Sequence, residues 1–238
     1  MLKINILEKG DIWLLAFENK VPFLKQLKKK KLFLEFGYST FYKIDNVLLK
    51  CIKPQKFADY SRRFFASQAK REYIGTLKLH YLGICVPEVY GYSVNLNFFN
   101  GFESILFIEH LKDSITTMNF LQNEKSTSKR ESILKLIAKD LSKMHFLGLH
   151  HKDTNLKNIL IKDNNIYWID NDIKVLPNFN NIKHVQISFK RIFNKNNMSE
   201  EEFLFLKKNY LRNFEKLLDK DFDGKKDIFF KMLRKVLL

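Results

Sequence analysis

Apolar and polar positions alternate along much of the first half of the chain. Short segments with this alternation are bounded by turn residues and cover residues 32–36, 41–44, 47–52, 86–91 and 104–109. Successive side chains of a strand face opposite sides of a sheet, and short turns join antiparallel neighbours. With breaks at Gly37 and at Asp45-Asn46, the first three segments predict an antiparallel meander. The other two predict further strands.

Helical spacing of apolar residues begins within this half and dominates the second half. Residues of about 60–80 place Phe65, Ala69, Tyr73 and Leu77 on one predicted helix face. A longer predicted helix carries an apolar stripe, ends at Gly148 and buries Ile133, Leu134, Ile137, Leu141, Met144 and Leu147. A histidine on this apolar face, His145, is interpreted as a core residue.

Two sites have the spacing of a capping box, in which a Ser hydroxyl and a Glu carboxylate satisfy free amides at a helix start. They are Ser128 with Glu131 and Ser199 with Glu202. Each predicts a helix N-terminus. A further break at Asp223-Gly224 separates the last two predicted helices.

The order of these elements predicts an α+β fold with two lobes. Residues 1–110 form a β-rich N-terminal lobe with one helix, and residues 111–238 form a mainly helical C-terminal lobe. A polar loop over 149–157 and a short hairpin interrupt the second lobe. The hairpin turns at 162–165, between Ile161 and Ile166.

Charge narrows the choice of partner. Lys and Arg number 42 against 26 Asp and Glu, which gives a formal net charge of +16. Such a surplus favours an anionic partner: a phosphorylated substrate, nucleic acid or an acidic membrane surface. Basic side chains concentrate in residues 20–31 and near the C-terminus.

The two cysteines, Cys51 and Cys85, have no metal-type spacing and favour a reducing compartment. No apolar run approaches the roughly 20 residues of a membrane span.

Candidate chemistry lies on both sides of the predicted hairpin. Phosphoryl transfer needs a carboxylate that accepts the proton of the attacking hydroxyl, and oxygen ligands for magnesium on the nucleotide phosphates. Asp153 suits the first task, and Asn158 with Asp170 suits the second. If Ile161 pairs with Ile166, then Asn158 and Asp170 lie together at the open end of the hairpin, roughly 5 Å apart. The alternative is an Asn- and Asp-rich loop that only forms turns.

The segment from Leu141 to Asn158, with His151-Lys152-Asp153 at its centre, resembles the catalytic loop of the protein-kinase-like superfamily. Ile169-Asp170 stands where that superfamily has its metal-binding aspartate. Within the superfamily the segment is most similar to the bacterial lipopolysaccharide kinase family, which phosphorylates inner-core heptose or 3-deoxy-D-manno-octulosonic acid (Kdo). The His-x-Asp-x-x-x-x-Asn loop and the Ile-Asp-x-Asp ending resemble the Kdo kinase branch. The resemblance covers residues 35–175 and implies a two-lobed kinase-like fold.

The same resemblance assigns roles in the N-terminal lobe. Lys50 is similar to the strand lysine that holds the nucleotide phosphates, and Glu72 to its partner on the following helix. The alternative for this pair is a solvated surface contact, and Lys53 competes for the lysine role. Glu109 and Leu111 belong to the segment whose backbone binds adenine. His151 is interpreted as a structural residue beneath the loop.

Three positions depart from the family pattern. The phosphate-covering loop offers only Gly37-Tyr38-Ser39-Thr40 instead of repeated glycines. Asn171-Asp172 follows the metal aspartate, and Asp172 either adds a second metal contact or begins the next loop. Asn155 stands two positions after Asp153, where Ser/Thr protein kinases usually carry a lysine. No Ala-Pro-Glu signature follows Asp170, which argues against a eukaryotic-type protein kinase.

The resemblance implies an ATP- and Mg²⁺-dependent kinase that phosphorylates a Kdo or heptose hydroxyl of the lipopolysaccharide inner core. Its expected partners are lipopolysaccharide or a lipid A precursor and the anionic inner-membrane surface. We expect it in the cytoplasm, peripheral to the inner membrane, and expect no nucleic acid partner. Two alternatives remain: a kinase for aminoglycoside- or choline-like acceptors, and a degenerate kinase fold that binds nucleic acid.

Overall fold

A computed structural model describes nine stretches of the chain: residues 3–4, 13–17, 30–54, 61, 65–95, 102–176, 182–193, 196–220 and 224–238. The described residues divide into two compact units. One comprises those up to Tyr81 together with Val86–Lys112, and the other comprises Leu82–Cys85 together with Asp113–Leu238. Most of the basic segment at residues 20–31 lies outside the described residues.

The described part of the first unit is built on a seven-stranded antiparallel sheet with the order β1-β2-β6-β7-β5-β4-β3. Its strands are β1 Lys3–Ile4, β2 Trp13–Phe17, β3 Lys31–Phe36, β4 Ser39–Ile44, β5 Val47–Ile52, β6 Val89–Asn95 and β7 Ser104–Glu109. The predicted meander is confirmed as β3, β4 and β5. Phe36 pairs with Ser39 and Ile44 with Val47 across the two predicted turns. Gly37 has a φ of 56° in the first turn, where glycine carries little strain.

The strand predicted at 86–91 begins later, at Val89. Pro87 explains the shift, because proline has no N–H for a sheet ladder and disfavours pairing at its own position. The β6 strand instead continues to Asn95, where it pairs with Trp13 of β2.

One helix, α1 (Gln68–Tyr81), packs against the sheet. Its Ala69 and Tyr73 join Ile52 and Leu106 in a buried apolar cluster. The prediction that Phe65 shares this buried face is wrong, because its side chain is 82% exposed. Phe65 precedes the helix proper, so helical spacing does not fix its direction. Residue 60 and residues 62–64 of the predicted helix lie outside the described part.

The described part of the second unit is mainly helical, with five short strands beside a long central helix. Its elements are β8 Ile115–Thr116, α2 Thr117–Asn123, α3 Thr127–Phe146, β9 Leu149–His151, β10 Ile159–Lys162, β11 Asn165–Trp168, β12 Ile173–Val175, α4 Ile182–Ile192, α5 Glu200–Lys220 and α6 Gly224–Leu237. The strands β8, β10 and β11 form one sheet, and β9 pairs with β12. The described helices include none that is long and apolar enough to cross a membrane.

The central helix α3, which carries the predicted apolar stripe, packs along α5. Five of the six stripe residues are buried, but Leu147 is 41% exposed. Leu147 follows the last helical residue, Phe146, and Gly148 turns the chain away with a φ of 68°. His145 is a core residue, as predicted: its Nδ1 lies 3.2 Å from the Tyr210 hydroxyl, and burial lowers the pKa of His145 to about 3.

One of the two predicted capping boxes forms. The Ser199 N–H donates to Glu202 Oε2 at 2.9 Å, and the Glu202 N–H donates to Ser199 Oγ at 3.1 Å. The box at Ser128 and Glu131 is wrong, because α3 begins at Thr127 with Ser126 as its N-cap. Ser128 already lies in the first helical turn, where it cannot cap.

Replacing each of the two serines by alanine distinguishes these helix starts. We expect Ser199→Ala to lower the free energy of unfolding by about 1 kcal/mol, since it removes a capping hydroxyl, and Ser128→Ala to change it by less than about 0.5 kcal/mol. Urea denaturation of both variants and the wild type measures this. Equal losses in the two variants would contradict the assignment of the caps.

Candidate active site

The segment predicted as a polar loop begins with a short strand. Residues 149–151 form β9, in which His151 pairs with Ile173 of β12. Three residues are too few to show a strand pattern in the sequence, which is why this part of the loop prediction is wrong. The chain then turns, forms a 3-10 helix over Leu156–Asn158 and enters β10.

The hairpin after this loop has the predicted register. Ile161 pairs with Ile166, and Ile159 with Trp168. Beyond the last pair, the Ile169 N–H donates to the Asn158 carbonyl at 3.0 Å. The hydrogen bond extends the ladder by one step and places Asn158 beside the residue that precedes Asp170.

Trp168 fixes the hairpin to α3. Its Nε1–H donates to Asp140 Oδ2 at 2.9 Å, and its backbone N–H donates to the Cys85 carbonyl at 3.0 Å. The Trp168 side chain is buried, and burial raises the pKa of Asp140 to about 6. The open end of the hairpin therefore belongs to a part of the unit that is held by the helical core.

Asn158 connects the hairpin to Asp153. Its Nδ2 donates to the Asp153 carbonyl at 2.9 Å and to Asp153 Oδ2 at 2.8 Å. Both amide hydrogens of Asn158 are thereby directed towards Asp153, so its Oδ1 is directed away and is left to accept or coordinate. The Asp153 side chain is 65% exposed and can reach a substrate.

His151 lies beneath this loop and bonds to backbone on both sides, as predicted. Its Nε2 donates to the Ile169 carbonyl at 3.2 Å, and its Nδ1 accepts from the Asp153 N–H at 3.3 Å. Burial lowers the pKa of His151, so the ring is neutral at pH 7 and can make both contacts. The negative charges of Asp170 and Asp153 partly oppose that lowering of the pKa.

Asp170 has a left-handed backbone conformation, with a φ of 56°. Aspartate tolerates this region better than most residues, and such strain concentrates at functional positions. The Asp172 N–H donates to the Asp170 carbonyl at 2.8 Å and tightens the turn. Within the second unit, the loop and hairpin thus bring Asp153, Asn158 and Asp170 to one end of the hairpin.

Asp172 makes a structural contact. Its Oδ1 and Oδ2 lie 2.8 and 2.9 Å from Lys152 Nζ, and its carbonyl accepts from the Lys152 N–H at 3.1 Å. Of the two interpretations from the sequence, this geometry favours a residue that fixes the following segment over a second metal contact.

In the first unit, Lys50 and Glu72 form a buried ion pair. Lys50 Nζ lies 2.7 and 3.0 Å from the two Glu72 carboxylate oxygens, and the side chains are only 4% and 2% exposed. Gln68 Nε2 donates to Glu72 Oε1 at 2.9 Å. The pair joins β5 to α1, and the alternative of a solvated surface contact is wrong. Lys53, the competing lysine, is exposed beside the Phe102 ring.

The predicted adenine segment leaves the sheet after β7. The His110 N–H donates to the Asn46 carbonyl at 2.8 Å, and Glu109 Oε2 accepts from the Glu88 N–H at 3.2 Å. Leu111 is buried. A Cβ added at Gly37 would meet nothing within 4 Å, so the hairpin of the predicted phosphate-covering loop has open space around it.

Sequence reasoning missed a contact between α4 and the loop. Arg191 Nη1 donates to the Lys152 carbonyl and lies 3.9 Å from Asp153 Oδ1. On the same helix, Ser188 Oγ lies 3.3 Å from Thr154 Oγ1. The two segments are nearly 40 residues apart in sequence, and no spacing rule connects them. A buried Ser on the apolar face of α4 is the one signal that points to a polar partner.

The buried pair can be tested without reference to catalysis. We expect Glu72→Ala to lower the free energy of unfolding by about 3–5 kcal/mol, because it leaves the Lys50 charge buried and unpaired. The double variant Lys50→Met with Glu72→Leu should lie within about 1 kcal/mol of the wild type or above it, since no buried charge remains. Urea denaturation measures both. A single variant that is as stable as the double variant would contradict a buried ion pair.

Comparison with known proteins identifies the family of the chain. The model of the Lipopolysaccharide kinase (Kdo/WaaP) family matches residues 52–210. Among curated proteins, none matches the sequence. Two of the solved structures that match share the fold at low sequence identity. WaaP in complex with acyl carrier protein has a TM-score of 0.53 and 13% identity, over 92% of this chain and 94% of that one.

The second structure is WbdD with the kinase inhibitor LY294002, with a TM-score of 0.53 and 17% identity. The match covers 83% of this chain and 48% of WbdD, so the chain spans about half the length of that protein. These structures confirm the predicted α+β, kinase-like fold class. The family model covers well over half of the chain, and the chain therefore belongs to the lipopolysaccharide kinase (Kdo/WaaP) family.

Proposed function

We propose that this protein transfers the γ-phosphate of ATP to a hydroxyl of Kdo or heptose in the lipopolysaccharide inner core. Family membership makes the chain a kinase, and the acceptor, ATP and Mg²⁺ are the proposed part. The observation that carries the proposal is the contact of Asn158 with Asp153, which presents an exposed carboxylate beside a free amide oxygen.

In the proposed reaction, Asp153 accepts the proton of the acceptor hydroxyl. The hydroxyl oxygen forms a bond to the γ-phosphorus, the bond from that phosphorus to the bridging oxygen breaks, and ADP leaves. General bases of this kind contribute about 10²–10⁴-fold to the rate. The 2.8 Å hydrogen bond from Asn158 holds Asp153 Oδ2, which leaves Oδ1 as the oxygen that can meet the hydroxyl.

Asn158 and Asp170 are the proposed magnesium ligands. Amide and carboxylate oxygens are the groups that Mg²⁺ binds, and the ion usually takes only one or two from protein together with phosphate oxygens and water. The donors fit this mode, because both amide hydrogens of Asn158 are directed at Asp153 and the amide oxygen is left for a cation. When bound, the ion neutralises charge on the nucleotide phosphates.

Lys50 is the proposed phosphate-binding cation of the first unit. Its contacts with Glu72, braced by Gln68, hold the ammonium group in one place. Positioned charge of this kind supplies most of the catalysis in phosphoryl transfer. The backbone at Glu109 and Leu111 is proposed to bind adenine.

The charge of the chain agrees with an anionic glycolipid acceptor. The formal net charge of +16 favours lipopolysaccharide or a lipid A precursor and the anionic surface of the inner membrane. We propose that the protein works at the cytoplasmic face of that membrane, where ATP is available.

A transfer assay tests the proposal. The protein is incubated with Mg²⁺, γ-labelled ATP and lipopolysaccharides truncated at successive core sugars. We expect label in acceptors that retain the target sugar, and the shortest labelled acceptor identifies it. Absence of label in every truncated and complete core would contradict the proposed function.

Asp153→Asn tests the role of the base. The variant keeps an oxygen that can accept from Asn158, so the fold is preserved, but it cannot take a proton. We expect kcat to fall by about 10²–10⁴-fold, with little change in the KM for ATP. The control is Asp163→Asn, at an exposed turn position of the same hairpin, which should retain activity. Wild-type turnover by the Asp153 variant would contradict the assignment.

A further inference from the structure

The helix α4 carries an arginine to the candidate active site. Its Val185, Ser188, Phe189 and Ile192 are buried in the second unit. The Thr154 hydroxyl donates to the His151 carbonyl at 2.8 Å, and its Oγ1 lies 3.3 Å from Ser188 Oγ. These contacts fix α4 against the loop and thereby fix the point from which Arg191 extends.

The Arg191 guanidinium is held at one end and open at the other. Its Nη1 donates to the Lys152 carbonyl, directly before Asp153 in the chain. The side chain is 45% exposed. Among the described residues, its remaining N–H groups have no hydrogen-bond partner, and the Asp153 carboxylate lies 3.9 Å from Nη1. An arginine anchored in this way presents a prearranged donor pair at little further cost in side-chain entropy.

Arg191 and Asn158 meet different oxygens of the Asp153 carboxylate. Asn158 Nδ2 lies 2.8 Å from Oδ2, whereas Arg191 Nη1 lies 3.9 Å from Oδ1. The second distance is too long for a hydrogen bond, so Arg191 does not tie up Oδ1. Oδ2 faces the proposed metal ligand, and Oδ1 faces Arg191. The guanidinium therefore lies nearest to Oδ1, the oxygen that is proposed to meet the acceptor hydroxyl.

Neighbouring charges leave Arg191 available to an anion. Lys152 already pairs with the Asp172 carboxylate at 2.8 Å. Asn155 occupies the position where Ser/Thr protein kinases usually carry a lysine, and its Oδ1 accepts from the Lys157 N–H at 3.0 Å. Arg191 thus places a positive charge beside the loop, and at 3.9 Å the Asp153 carboxylate neutralises that charge only weakly.

We propose that Arg191 binds an anionic substituent of the acceptor, a carboxylate or a phosphate, next to the hydroxyl that is phosphorylated. The planar guanidinium matches either group with two parallel hydrogen bonds. This inference rests on the proposed function and deepens it: the residue selects an acidic sugar or a phosphorylated sugar and positions its hydroxyl at Asp153.

Equilibrium binding without nucleotide tests this role separately from catalysis. The probe is de-O-acylated inner-core lipopolysaccharide that carries Kdo and the lipid A phosphates, titrated into the full chain. We expect Arg191→Gln to weaken binding at least tenfold and Arg191→Lys to weaken it less, since a lysine keeps the charge but not the paired geometry. The control Lys190→Gln removes the same charge about 100° away on the helix and should stay within twofold of the wild type.

Two modified probes identify the anion. One has its carboxyl groups reduced, and the other has its phosphates removed. We expect Arg191→Gln to bind one of them as well as the wild type does, because the group that Arg191 contacts is missing from it. If the variant weakens binding of both modified probes as much as binding of the intact probe, the contact is not with an anion and the proposal is wrong.

Other outcomes separate the two proposals. Equal affinity of Arg191→Gln and wild type for the intact probe would overturn the role of Arg191, as would a wild type that does not bind the probe. A loss of kcat with unchanged probe affinity would also overturn it, because Arg191 would then act on the transferred phosphoryl group. Arg191-dependent binding without any phosphate transfer would leave this inference standing and overturn the proposed function.

Discussion

The amide group of Asn158 is the feature on which the candidate site depends. Its nitrogen donates to the carbonyl and to the carboxylate of Asp153, so these hydrogen bonds close the six residues from Asp153 to Asn158 into a loop. The same contact determines where the amide oxygen points. One side chain therefore sets the direction of the proposed base and of a proposed metal ligand, and the hairpin ladder that ends at Asn158 holds both against the helical core.

The two units differ in how far the charged residues of the candidate site are buried. Lys50 and Glu72 are removed from water, and a buried pair of this kind adds little net stability while its loss is costly. The pair does hold the Lys50 ammonium group in one position. Asp153 and Arg191 remain substantially exposed and loosely paired, as expected for groups that exchange one partner for a substrate. The position of the first pair and the availability of the second suit phosphoryl transfer, which relies on placed charge.

Much of the site follows from local rules in the sequence. The turn at 162–165 fixes the register of the hairpin, and the register places Asn158 opposite Ile169, the residue before Asp170. Of the two candidate lysines, the structure places Lys50 within β5 and buries it with Glu72, whereas Lys53 follows the strand and is exposed. The rules fail where a contact is non-local or an element is very short. Ser128 has the spacing of a cap, but its helix starts one residue earlier, and β9 is too short to show a pattern.

Arg191 shows most clearly what the sequence alone could not predict. Nothing in its own segment distinguishes it from Lys190, and only the packing of α4 on the loop gives it a place beside Asp153. Tertiary contacts of this kind depend on the whole unit. The family, by contrast, could be inferred from the loop and hairpin, because those residues interact mainly with one another.

The magnesium dependence of ATP binding tests the dual role of Asn158 most directly. ATP is titrated into wild type, Asn158→Ala and Asp153→Asn, each with and without Mg²⁺. We expect Mg²⁺ to tighten ATP binding at least tenfold in the wild type and in Asp153→Asn, and to have little effect in Asn158→Ala. An equal effect of Mg²⁺ in all three proteins would contradict the placement of the cation at Asn158.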